Sequence, residues 1–194
     1  MDRGAEPGLH GGLRPAHAAR RRPRRRRRLR QFRLARENLR ASEARVRQGA
    51  ADAGRDPAAV EIWQIAGLDC TEDGAAARRK IGAILAFMAG GYILSGDLAQ
   101  RGVPAELHGA VAELRRRYST RPGDADARLV EELGLFPYLS RRFAICGTPE
   151  ECATQLARAE AAGLKRVMFS VGVATHSLRA VELFGATVLP RFKA

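Results

Sequence analysis

The chain has 194 residues, 45% of them hydrophobic and 28% charged, which is ordinary for a globular protein with a sizeable core. Its net charge of +13 is not ordinary, and it is concentrated: residues 1–33 hold 12 arginines against Asp2 and Glu6, leaving +3 on all that follows. No apolar run reaches the ~20 residues a membrane span needs, so no membrane partner is expected, and three cysteines without paired spacing give no disulfide framework or metal cluster and fit a reduced, cytoplasmic setting.

In chain order, RRRPRRRRRLRQFR (Arg20 to Arg33) follows a Gly/Pro/Ala-rich lead and offers almost nothing to a core. Residues 1–33 are therefore expected to be disordered. Three readings of this segment stay open. Clustered arginines suit nonspecific binding to nucleic acid or another anionic polymer, because they release counterions from phosphates. An Arg-rich, acid-poor stretch also suits a targeting peptide, although the missing apolar region excludes a secretory signal. A GC-rich gene translated upstream of its true start would yield the same composition.

From Leu34 a helix is expected to about Asp52, with Leu39, Ala44 and Val46 available to one face and Gly54 ending it. Asp56-Pro57 turns the chain into Val60–Leu68, a strand with little polar alternation, as a strand covered on both faces shows. Thr71 and Asp73 offer caps for a helix over roughly 74–94, whose alanines and Gly82 permit close packing against a sheet. Residues 97–142 carry several breakers and no strand signal, and read as a helical insertion with a helix near 105–118 and a shorter one around Leu129 and Leu133. Thr148, Pro149 and Glu151 then form a capping-box start for a helix that Gly163 closes, followed by a second covered strand over Val167–Val171. Leu178, Val181, Phe184, Val188 and Phe192 mark a terminal docking helix. Strands alternating with helices predict an α/β fold with a parallel sheet, mostly helical by residue count.

Four segments together resemble the C-terminal part of the bacterial-luciferase-like monooxygenases: GRDPAAVEIWQIAGLDCTEDGAAA, RRRYSTRPGD, AICGTPEECATQLARAEAAGLKRVMFSVG and VELFGATVLPRF. The resemblance covers residues 34–194 and rests on the order of modest motifs. It implies the closing portion of a (β/α)₈ barrel, with 60–68 as strand seven, 167–171 as strand eight and 97–142 as the insertion between them. A whole barrel takes about 250 residues, so strands one to six are expected to be missing. The chain is then expected to have little activity alone and to self-associate through exposed barrel edges.

The resemblance further implies FMN or a deazaflavin of the F-420 type as cofactor and a small-molecule substrate, bound where such barrels place their sites, at the C-terminal ends of the strands. Gln64 is either a lumen-facing hydrogen-bonding group for cofactor or substrate, or an amide satisfied by backbone or water. Gly67, Leu68, Ser170 and Gly172 lie toward strand ends where backbone can approach a ligand. Arg117, Tyr118 and Arg121 offer either a cationic edge for a phosphate or acidic coenzyme tail, or a solvated helix face. No catalytic residue is identified, and nothing supports a hydrolase, kinase or metalloenzyme. The competing functions are a basic-arm nucleic-acid-binding protein on an α/β platform, and an inert gene remnant.

Overall fold

The structure, a computed structural model, describes residues 27–31, 34, 36–94, 96–118 and 124–192. Its frame is a four-stranded, wholly parallel sheet of β1 (Arg27–Gln31), β2 (Glu61–Cys70), β3 (Ala144–Gly147) and β4 (Val167–Ser170). All three of the others pair with β2. β1 pairs along Glu61–Ile65, β3 along Gly67–Cys70, and β4 along Gln64–Gly67. Gln64 and Gly67 each pair on both sides, so β1 and β3 lie end to end along one flank of β2 and β4 occupies the other.

Two features of this frame correct the sequence reading. Arg27–Gln31, expected within the disordered head, is a parallel neighbour of β2, so α1 (Arg36–Asp52) is the crossover of a βαβ unit. The rest of the arginine-rich segment, with the polymer-binding role expected of it, lies outside the described residues. Ala144–Gly147 is also a strand, too short to show a period of its own before the capping box takes over.

The sheet has two covered faces, which its register separates. Ala66, Leu68 and Cys70, with Ile145 beside them, pack with Leu39 of α1, Cys152 and Leu156 of α6 (Pro149–Ala161) and Phe184 and Val188 of the C-terminal helix. Ala144 and Cys146 point the other way, into a core made with α2 (Gly74–Tyr92), α3 (His108–Arg117), α4 (Asp124–Glu132) and α5 (Phe136–Phe143). Among the described residues of 97–142, turns lead into α3, α4 and α5 without a strand, and Val111, Leu114, Val130 and Leu139 are wholly buried in them. Pro137 breaks none of them. It stands at the start of α5, where a missing N–H costs nothing.

Local chemistry sets the helix ends. Asp73 accepts from the amides of Ala75 and Ala76 to start α2. Thr148 and Glu151 form the reciprocal capping box of α6, and Gly163 leaves it at φ +108°. α2 packs on β2 and β3 as expected and also on α4, where a Cβ on Gly82 would stand 3.3 Å from the Ala127 backbone. In α1, Ala44 is exposed and the buried stripe runs through Leu39, Ser42, Val46 and Ala50. The terminal stripe is half right. Ala180, Phe184 and Val188 are buried at four-residue spacing, whereas Leu178 is 73% and Val181 47% exposed, because α7 (Ser177–Leu183) runs into a π-turn over Phe184–Val188 that selects this face. No helix among the described residues is long and apolar enough to cross a membrane.

Candidate functional site

β4 was expected to be covered on both faces, yet Met168 is 43% exposed. Register puts Met168 beside Ile65 and Ser170 beside Gly67, so this side of β2 and β4 is a partly open wall that closes toward the C-terminal strand ends. At that closing end Val173, from the loop after β4, leans over the sheet. A Cβ on Gly67 would sit 3.3 Å from Val173 Cγ2 and 3.4 Å from Ala144 Cβ, so the chain itself fills the space this glycine leaves.

Two residues further along β2, on the same face, is Asp69, which is fully buried. Its Oδ2 accepts from the amide of Thr175 at 2.9 Å and from the Thr175 hydroxyl at 2.8 Å, while Oδ1 is buried without a hydrogen-bond partner. A buried carboxylate oxygen with no donor is costly. Asp69 thus ties the loop that carries Gly172 and Val173 to the end of β2, and keeps one acceptor in reserve there. Sequence reasoning passed over it. The signal was available, since it is the lone acid ending an otherwise apolar run, IAGLD.

The expected site residues do not form one group. Gly67 and Ser170 are brought into register on the open wall, with exposed Gly172 just beyond, where a Cβ would meet nothing within 4 Å. Gln64 and Leu68 lie on the opposite, helix-covered face. Strand alternation puts them with Ala66, Leu68 within the packed cluster and Gln64 on a cleft between α1 and the α6–β4 turn, its Oε1 buried and unpartnered. Arg117 is engaged elsewhere. It grips Glu132 with two hydrogen bonds of 2.7 and 3.0 Å and approaches Glu113, which Arg116 also holds. Those arginines keep the carboxyls of Glu113 and Glu132 below the usual carboxylate range. Tyr118 packs over Gly90 of α2, its hydroxyl pKa raised by burial and then by Asp126. Arg121 lies outside the described residues.

The three cysteines are reduced and buried. Burial pushes the Cys146 thiol up to about 12, and the hydrogen bond between Cys70 and Cys152 raises the second and lowers the first, so none of the geometry presents an accessible thiolate. His108 contacts the Val103 carbonyl at 2.9 Å and His176 caps α7 from the surface. Among the described residues no cluster of three metal-ligating side chains occurs. The start of α6 is no phosphate cradle either: Glu151 Oε2 accepts from the Thr148 amide at 2.8 Å, so the helix dipole already faces a carboxylate of its own.

Parallel strands joined through helices, with a partly open wall and a buried carboxylate toward their C-terminal ends, define an α/β fold of the barrel or doubly wound type. The chain belongs to the luciferase-like monooxygenase family, whose model matches residues 31–166. Its fold is similar to that of the coenzyme F420 dependent tetrahydromethanopterin reductase of Methanopyrus kandleri, at TM-score 0.58 and 21% identity over 84% of this chain and 44% of that one. A monooxygenase from Streptomyces bottropensis matches with a TM-score of 0.42, also at 21% identity, over 81% of this chain and 39% of its own. The chain thus spans less than half the length of the two solved structures it matches.

Proposed function

We propose that this chain forms part of the ligand-binding mouth of a flavin- or deazaflavin-dependent oxidoreductase acting on a small-molecule substrate in the cytoplasm, β2 and β4 being strands seven and eight of a (β/α)₈ barrel whose wall β1 also joins. One observation carries the reading beyond family membership: Ile65, Met168 and Ser170 form a partly open wall that Val173 closes over Gly67, and behind that closure lies the buried, unpartnered Oδ1 of Asp69. A flat heteroaromatic ring suits the open part of such a wall, and displacement of Val173 would let its ring N–H donate to Asp69. The fit is to the ring end only, since the self-capped α6 offers no place for a phosphate.

When bound, a reduced flavin supplies oxygen activation and a deazaflavin supplies hydride transfer. The part left to this chain is positional. Ile65 and Met168 exclude water from one side of the ring, Asp69 orients it, and Thr175 fixes the Asp69 carboxylate. A barrel mouth is assembled from the loops of all its strands, so turnover by this chain alone is expected to be low. Self-association is proposed through the outer edge of β4. The edge of β3 is less available, because the Gln155 amide already takes both the N–H and the carbonyl of Cys146.

The test is titration of the purified chain with FMN and with the deazaflavin, read by quenching of cofactor fluorescence. Saturable binding of either, weakened at least tenfold in Asp69→Leu, supports the reading. Binding of neither at millimolar cofactor overturns it.

A further inference from the structure

A second feature lies beyond this wall and does not depend on the flavin reading. A cavity of about 310 Å³ stands where the β1–α1 loop, the end of α5, β3 and α6 meet. Leu34, Ala144, Ile145 and Ala159 give it apolar sides, and Arg141, Arg142 and Arg158 are also in the lining, with no acidic residue among the lining residues.

Arg142 is the unusual member. It is 3% exposed, and every partner found for its guanidinium is uncharged: the Gly102 carbonyl at 3.2 Å, the Tyr138 hydroxyl at 2.5 Å and the Arg101 carbonyl at 2.6 Å. Its Nε is buried with no acceptor at all. The Tyr138 and Phe143 rings, with centroids 5.8 and 5.7 Å from the guanidinium, add a cation–π contribution, but no anion stands beside this buried charge, and a buried charge without one is expensive. Elsewhere in the molecule arginines that are far more exposed meet acids, as Arg78 does with Glu151 and Arg191 with Glu150.

The cavity is also not a slot for another strand. The outward N–H and carbonyl of Cys146 are taken by Gln155, and the Arg142 carbonyl accepts from the Leu34 amide at 3.0 Å. An incoming strand would find no free ladder along this flank of β3. Its volume is at the lower end of the ~300–1,000 Å³ typical of small-ligand sites.

We infer that this cavity binds a small organic monoanion, its apolar body between Leu34, Ile145 and Ala159 and its carboxylate or phosphate against the Arg142 and Arg158 side. Octanoate serves as probe on the full chain by isothermal titration calorimetry, with octanol, octylammonium and inorganic phosphate as separate arms. Octanoate is expected to bind at least tenfold more tightly than octanol or phosphate, with no binding of octylammonium, and more weakly as salt rises. Arg158→Gln should reduce octanoate affinity about tenfold and leave octanol unchanged. Ala159→Leu, or Ala162→Leu at the cavity lip should the first variant lose its circular dichroism, should abolish binding by filling the space. Equal affinity for octanoate and octanol, binding of octylammonium, or full binding by a folded, filled variant would each overturn the inference. Tighter binding of phosphate than of octanoate would also overturn it, since the apolar walls would then have no part.

Discussion

Arg117 and Arg142 stand at opposite extremes of how a cation is kept in a fold. Arg117 lies on the solvent side of α3 among Glu113 and Glu132, and makes its bonds with water still at hand. Arg142 lies inside, between α5 and the loop at Arg101 and Gly102, and makes its bonds to backbone carbonyls and a phenol. The first arrangement is worth little because water competes for both partners. The second fixes the insertion to the sheet, since it clamps residues about forty positions away beside the start of β3. A dense run of charge is therefore the wrong place to seek a binding cation here, and a single buried one is the right place.

Four measurements sharpen or break this contrast. Arg142→Met removes three hydrogen bonds, and although Gly102 and Tyr138 keep the bond between them it should cost ~2 kcal/mol or more in chemical unfolding; a loss under ~1 kcal/mol would show that the clamp holds nothing. Gln155→Leu leaves the N–H and carbonyl of Cys146 bare beside the same cavity, and should cost ~2 kcal/mol and raise the self-associated fraction in size-exclusion chromatography. Acid comes next. The folded pKa values of Glu113 and Glu132 are depressed, so their contribution is present above the unfolded value near 4.3 and is lost as pH falls through the folded values. Thermal unfolding at low salt should reveal this loss below about pH 4.5, and Arg117→Gln should flatten it. At neutral pH Arg117→Gln itself should change stability little, and not at all in high salt, whereas the Arg142→Met loss should persist there.

What the sequence disclosed, and what it hid, follows the range of the interactions involved. The α6 cap was legible because Thr148, Pro149 and Glu151 act within one turn. β2 was legible as an apolar run, and the helical nature of 97–142 from breakers at its joints. The facing of Gln64 and Leu68 was not, since alternation says which residues share a face but not which face meets helices. Arginine-rich β1 was hidden because it is held by pairing with a strand 34 positions away, against its own composition. Asp69 and Arg142 were hidden for the same reason: their meaning comes from Thr175 and from Arg101 and Gly102, which only the fold brings near.

The central place of β2 also constrains how the molecule comes into being. Its three partners start at Arg27, Ala144 and Val167, so two of them are synthesised long after it. Until Val167 leaves the ribosome, one whole flank of β2 has no neighbour within its own chain, and early release or a stalled nascent chain would expose that flank to other polypeptides.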